Sequence, residues 1–362
     1  MSVVRRRRCA ILGASGYIGQ HFARLLAEHP WFEPVVLTST ERSKGRTLGD
    51  VWLLPEEIPD TLARARLTTA TPRELRRAGI EVAFSALPSG KAGTIETALA
   101  KKGIPVFSNA SDHRMDRDVP LLVPEVNADH LDLLTARPGG RAAIVNNPNC
   151  TAAGLVVGLA PIVPLLDPVR VYVATYQALS GAGVPGVPSL HIADNVVPFI
   201  ADEEEKVAAE SLRMLRSARP RDARPVRMEV VAQCARVAVR DGHLEAVTIE
   251  ARRRPSLPEI RAAWTGFDPL ALWDLPTAPR PPIELRSEPD RPQPLRDRWA
   301  GSPRRARGMA VTIGRVRWDP PLLRFFLLSH NAVRGGAGGS VLNAELALRA
   351  GWLGHPVGRP PS

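Results

Sequence analysis

The sequence predicts an α/β protein of two domains. The first is a doubly wound, Rossmann-like domain on a parallel sheet, and the second is an α+β domain on a mixed, largely antiparallel sheet. Three observations predict it. A strand, a glycine turn, a helix and a second strand follow one another between Cys9 and Ser39. Beyond residue 168 the texture changes to alternating strands. Between them, Asn146-Asn147-Pro148-Asn149-Cys150-Thr151 sets a lone cysteine at the head of an apolar run.

Taken in order, residues 9–13 read as a short apolar strand that enters Gly13-Ala14-Ser15-Gly16-Tyr17-Ile18-Gly19. Residues 20–28 place Phe22, Leu25 and Leu26 at helical spacing, and 34–39 read as the next strand, completing a βαβ unit. Residues 82–87 form a further buried strand, Pro88-Ser89-Gly90 turns into a helix over 92–102, and 104–108 is another strand. After Cys150, residues 169–176 alternate like a half-exposed antiparallel strand. Residues 228–239 and 244–251 are two strands around Asp241-Gly242, a strong turn signal. Residues 308–318 and 322–330 complete the sheet. The stretch 252–307, dense in proline and arginine, reads as surface loops with one helix over 257–264. A last helix over 335–350, apolar on one side through Ala337, Val341, Ala344 and Leu346, is expected to return to the first domain. The predicted division is therefore 1–149 plus 335–362, and 150–334.

Composition narrows the function. With 44% hydrophobic residues, the 362-residue chain can bury sizeable cores, and no apolar run reaches the length of a membrane span. Arg5-Arg6-Arg7-Arg8 mimics the start of a signal peptide, but the apolar stretch behind it is short and ends in the glycine turn. Three scattered cysteines speak for reducing cytoplasm rather than a disulfide framework, and no zinc spacing is present. The net charge of +11 comes from dispersed arginines beside only five lysines, which argues against a nucleic-acid footprint.

Two features carry chemistry. A thiol in the first turn of a helix meets unpaired N–H groups and the positive end of the dipole, which favour the thiolate, a nucleophile for carbonyl carbon. The same position also suits a small buried residue. The glycine turn lets backbone approach a pyrophosphate, through Gly13, Ser15, Gly16, Tyr17 and Ile18. At the end of the second strand, where an NAD site wants an acid, the chain has Thr38-Ser39-Thr40-Glu41-Arg42-Ser43-Lys44. The hydroxyls and cation of Ser39, Arg42 and Ser43 suit a 2′-phosphate, hence NADP, with Glu41 dissenting.

The motifs GASGYIG, SNASDHRMDRDVPLLVPEVN, NNPNCTAAG, QALSGAG, EEEK, RVAVRDGH and DRPQP, in this order over nearly the whole chain, closely resemble aspartate-semialdehyde dehydrogenase in its archaeal and fungal-like branch. The resemblance implies reduction of 4-phospho-L-aspartate to L-aspartate 4-semialdehyde through a cysteine thioester, in a cytoplasmic homodimer or homotetramer whose second domain is catalytic and dimerising. It makes Cys150 the nucleophile and His243 the general acid/base. Arg236 would clamp the α-carboxylate and Gln177 would orient the substrate. Arg114 and Lys206, with Asn149 nearby, would hold phosphate, and Ser180, Gly181 and Asn331 would contact the nicotinamide end. No metal is implied.

Bland readings stand beside these. His243 follows a turn, and Lys206 ends the run Glu203-Glu204-Glu205, of a kind usual on solvated helix faces. Arg236 and His243 are seven apart, on opposite faces of one flat strand, although the Asp241-Gly242 turn leaves their convergence open. Cys9 and Cys234 read as inert core thiols. The family usually has aspartate at His191 and Asp-Asn at His330-Asn331. Among relatives, N-acetylglutamyl-phosphate reductase typically has Asn-Pro-Gly-Cys where this chain has Asn147-Pro148-Asn149-Cys150. Malonyl-CoA reductase and a non-catalytic, NADPH-binding regulatory paralogue are the remaining alternatives.

Overall fold

The computed structural model describes residues 5–136, 143–218 and 227–354. The ends of the predicted domain ranges, 1–4 and 355–362, lie outside the described residues. Strands β1 (Arg7–Leu12), β2 (Phe32–Leu37), β3 (Val82–Ser85), β4 (Val106–Ser108) and β5 (Ile144–Asn146) form one sheet in the order β2-β1-β3-β4-β5. Every pairing in it is parallel. The sequence reading had no strand at β5, because three residues ending in asparagine leave little apolar pattern. Pairing with β4 makes it one, and the buried Asn146 amide donates to the Ala110 carbonyl at 2.7 Å.

The glycine turn works as its composition demands. Gly13 has φ +76°, and a Cβ there would lie 2.8 Å from the Ala86 carbonyl oxygen. The first helix, Tyr17–Leu26, buries Phe22, Ala23 and Leu26 against the sheet. Helix Gly338–Arg349 shares this core, where Val341, Leu342 and Leu346 are buried with Phe84 and Phe107. It is buried from Gly338 to Leu348, so its polar positions face protein too, in contrast to the one-sided helix read from the sequence.

The second sheet runs β7-β6-β8-β11-β10-β9, with β6 (Pro168–Gln177), β7 (Glu229–Arg236), β8 (His243–Ala251), β9 (Ile283–Leu285), β10 (Val311–Asp319) and β11 (Leu322–Ser329). The strands on either side of Asp241-Gly242 are not a hairpin. β6 lies between them, parallel to β7 and antiparallel to β8. The six residues separating β7 from β8 are enough to cross over one strand, and this crossover decides the site. Beneath the sheet lies helix Cys150–Leu159, buried from Thr151 onward. Its glycines admit β11, since a Cβ at Gly154 would meet the Ser329 hydroxyl at 2.5 Å.

Candidate active site

Cys150 opens its helix because Asn149 caps it. The Asn149 Oδ1 accepts from the backbone N–H of Thr151 at 2.9 Å and of Ala152 at 3.1 Å. The Asn149 N–H donates to buried Glu210 Oε2 at 2.5 Å. Behind the cysteine only glycine fits at 335, where a Cβ would sit 2.6 Å from the Cys150 Cα. The Cys150 Sγ lies 3.2 Å from His243 Nε2.

The histidine's other nitrogen fixes its tautomer. The Ala178 N–H donates to His243 Nδ1 at 3.1 Å, so a neutral ring carries its proton on Nε2, facing the sulfur. Burial, helped by the Arg236 charge, holds His243 down to about 3, so the ring is neutral at pH 7. Burial and then Glu203 push the Cys150 thiol up to about 12, opposed by Arg114 and Arg236. The residue as a whole is half-buried. The helix start therefore does not by itself give a thiolate, contrary to the sequence expectation: dehydration outweighs the dipole. The resting pair is thiol and neutral imidazole.

Arg236 ends β7, and its Nη1 donates to the Ala178 carbonyl at 2.7 Å. A Cβ on Gly181 would touch Arg236 Nη1 at 2.7 Å and His243 Cε1 at 3.2 Å, so the two side chains converge under one turn. The interposed β6 achieves this: Gln177 pairs with Arg236, and the neighbouring Tyr176 pairs with Leu244. Gln177 is buried on the same face, its Nε2 donating to Glu203 Oε1 at 2.9 Å.

Helix Glu203–Met214 takes Glu203 out of the solvated run, while Glu204 and Glu205 stay exposed. Glu203, Val207, Glu210 and Met214 are its buried stripe. Glu203 also accepts from the Thr151 hydroxyl at 3.4 Å, and Glu210 Oε1 accepts from Arg114 Nη1 at 3.1 Å. Sequence reasoning missed both acids as site residues. Their i, i+4, i+7 spacing along an apolar stripe was the available signal. Lys206, half-buried between them in sequence, reaches Asp202 at 3.5 Å. Arg114 and Asn149 thus meet through Glu210, while Lys206 stands one helical turn from both acids.

At the other end of the cleft, the Asn331 amide donates to the Ser180 hydroxyl at 2.8 Å, and its Oδ1 accepts from Gly242 N–H at 2.9 Å. The first helix has no side-chain cap at Gly16, leaving its N-terminal N–H groups for an anion such as a dinucleotide pyrophosphate. Ser15 and Ile18 flank this start. The Tyr17 hydroxyl is already committed to Asp241 Oδ1 at 2.7 Å, so only its backbone serves a ligand. Ser39, Arg42 and Ser43 follow β2, with Arg42 exposed, and Glu41 is paired to Lys44 at 3.3 Å. These groups fit a dinucleotide carrying a 2′-phosphate. Of the two departures from the family pattern, His191 is exposed and His330 is buried. Among the described residues no cluster of His, Cys, Asp and Glu is arranged to hold a metal ion.

His330 stacks edgewise on His21, ring centroids 5.8 Å apart, and lies 4.4 Å from the Trp299 ring. Burial first of all holds His330 down to about 3 and His21 well below its ordinary value. With His243, three imidazoles are neutral when folded, whereas each gains a proton near pH 6.5 when unfolded. The unfolded state therefore binds more protons below that pH. Stability is complete above about pH 6.5 and is lost as pH falls towards 3. Urea denaturation is expected to show lower stability at pH 5 than at pH 7, with His243 and His330 each contributing about 2 kcal/mol to the loss. The variant His330→Asn should lose about 2 kcal/mol less over that interval, and an unchanged pH slope in that variant would contradict this account.

Comparison with known proteins agrees with this geometry. The family model described as semialdehyde dehydrogenase, NAD binding domain, matches residues 8–134, and the one described as its dimerisation domain matches 159–334. The chain is 46% identical to aspartate-semialdehyde dehydrogenase of Archaeoglobus fulgidus, over 95% of this chain and 98% of that one. It is 36% identical to malonyl CoA reductase (NADP) of Metallosphaera sedula, over 96% and 99%. Its fold matches the crystal structure of aspartate semialdehyde dehydrogenase with NADP from Candida albicans at a TM-score of 0.82, with 32% identity, over 95% of this chain and 98% of that one.

Proposed function

The chain belongs to the aspartate-semialdehyde dehydrogenase family, and from that premise we propose that it catalyses, reversibly, the NADPH-dependent reductive dephosphorylation of 4-phospho-L-aspartate to L-aspartate 4-semialdehyde, a step towards lysine, methionine and threonine. The observation that carries this is the Cys150–His243 pair at a helix start, 3.2 Å apart and flanked by Arg114 and Arg236.

Arg236 takes the α-carboxylate through its planar fork, and Gln177, anchored by Glu203, orients the substrate. Arg114 and Lys206 face the phosphate, with Asn149 beside them. Cys150 Sγ bonds to the acyl carbon, the bond to phosphate breaks, and the thiol proton leaves on the phosphate. The N–H groups at the helix start stabilise the oxyanion as it forms. When bound at the glycine turn, with its nicotinamide end by Ser180, Gly181 and Asn331, NADPH supplies the hydride that reduces the thioester. The Nε2–H of His243 hydrogen-bonds the oxyanion of the thiohemiacetal, which collapses to the aldehyde as the C–S bond breaks. The freed sulfur then regains a proton from solvent.

Residues 1–149 with 335–362 serve the cofactor, and 150–334 serve catalysis and assembly. The chain carries the family's dimerisation domain. A homodimer or homotetramer is supported by Tyr172, Tyr176 and Val231, exposed together on the face of β6 and β7 away from the site. A cytoplasmic location accords with three free cysteines and with the finding that no described helix is long and apolar enough to cross a membrane.

A coupled assay with aspartate semialdehyde, phosphate and NADP tests the reading. Faster CoA-dependent oxidation of malonate semialdehyde would assign the chain to malonyl-CoA reductase chemistry, and NADPH binding without turnover would make it a regulatory paralogue.

Two substitution experiments divide the site. A charge-assisted hydrogen bond contributes about 1.5–3 kcal/mol, roughly ten- to a hundredfold in affinity. Lys206→Ala should raise the KM for phosphate by about that factor and spare the semialdehyde, while Arg236→Leu should do the reverse. Equal effects on both substrates would refute the assignment of the two ends. Separately, Arg42→Ala should raise the KM for NADP about tenfold and leave that for NAD little changed. A wild-type enzyme that works better with NAD would overturn the 2′-phosphate reading.

A further inference from the structure

We propose that a second site, unconnected with the redox chemistry, binds a small phosphoryl-rich polyanion in the cavity between the C-terminal half of the first helix and the segment 299–307. This cavity measures about 570 Å³, the size of an ordinary small-molecule site, and none of its lining residues belongs to the catalytic or dinucleotide groups above. Its charge is lopsided. Arg24, Arg304, Arg305 and Arg307 line it against Glu28 and Glu56.

These guanidiniums lack the carboxylate partners that others in the chain have. Arg114, Arg170, Arg286, Arg291 and Arg334 all form close ion pairs. Among the described residues none of the four in the cavity does. Arg24 is the informative one. Its Nε and Nη2 are shut from solvent with no hydrogen-bond partner, and its guanidinium lies 5.0 Å from the centroid of the Trp299 ring. Burial holds Arg24 below its ordinary value, opposed by Glu56, whose attraction exceeds the repulsion from Arg307. Two N–H-bearing nitrogens that have given up water without gaining an acceptor are costly, and an anion entering the cavity removes that cost.

Shape and charge select the ligand. The concave wall suits a small molecule rather than a broad surface, and its four arginines outnumber Glu28 and Glu56. Four guanidiniums around one space can each present a fork to a tetrahedral phosphoryl group with several oxygens. The indole of Trp299 adds a flat wall. The stretch 252–307 reads from its composition as surface packing; in the fold its end faces the Tyr17, His21, Arg24 stripe of the first helix.

The test is calorimetric titration of sodium tripolyphosphate into the full chain with saturating NADP, at about 0.15 M salt so that loose surface attraction is screened. The expected result is one saturable site in the wild-type protein. Binding should weaken at least about tenfold in Arg304→Ser/Arg305→Ser/Arg307→Ser, with phosphate-dependent turnover unchanged. Arg24→Gln, which leaves the loop intact, should weaken it by a similar factor. Wild-type affinity in both variants would place the binding elsewhere, and absence of saturation at this salt would reduce the cavity to general surface charge. Equal affinity for citrate would overturn the phosphoryl preference.

Discussion

Replacing Cys150 with serine is expected to lower turnover by on the order of a thousandfold or more while leaving the fold and NADP binding intact. The substitution is nearly isosteric, and the features that place the residue are not its own. Asn149 caps the helix, Gly335 packs behind, and His243 is held by Ala178. What changes is the nucleophile. A hydroxyl gives up its proton far less readily than a thiol, and the site has no free base for it, because the His243 Nδ1 is engaged by backbone and Nε2 already bears the proton. In the wild-type protein iodoacetamide should label Cys150 ahead of Cys9 and Cys234, which are buried in the two sheets with thiols pushed up chiefly by burial. Phosphate-dependent turnover near the wild-type rate in the serine variant would refute the thioester.

The second large effect is on stability. Arg334 Nη1 and Nη2 meet Glu125 Oε1 and Oε2 at 2.6 and 2.8 Å, a bidentate pair with both residues buried. Arg334→Met is expected to cost about 3–5 kcal/mol, because it strands the Glu125 carboxylate without its partner in a dry interior. The double variant Arg334→Met/Glu125→Gln should recover part of this, since an amide is far cheaper to bury than a lone charge. Urea denaturation of the single and double variants measures both terms. The pair fastens the π turn Val333–Ala337, which carries Gly335 against Cys150. Activity should therefore fall in step with stability. A single variant within about 1 kcal/mol of wild type would show that the pair contributes little beyond its own desolvation.

Much of this protein is legible in the chain alone, for a reason of range. The βαβ start, the glycine turn and the cysteine at the head of a helix are settled by residues within about one turn of each other, where periodicity and backbone sterics decide. Local pattern could not set the strand order. Asp241-Gly242 carries every mark of a hairpin, and yet β6 inserts between β7 and β8, because pairing on both edges buries more backbone and apolar surface than a two-strand ribbon would. That insertion brings Arg236 and His243, whose convergence strand parity had left open, together against Gly181. Burial was equally hidden. Glu203 read as part of a solvated run, and Glu210 carried no reading at all, until the helix turned both inward to meet Gln177 and Arg114. The protonation of the catalytic pair followed from the same cause: the helix dipole is a local property, but the dehydration that outweighs it is imposed by every element packed around the cleft. The sequence determined which groups are available and where along the chain they sit. Only the tertiary structure decided which of them share a dry space, and so which carry charge.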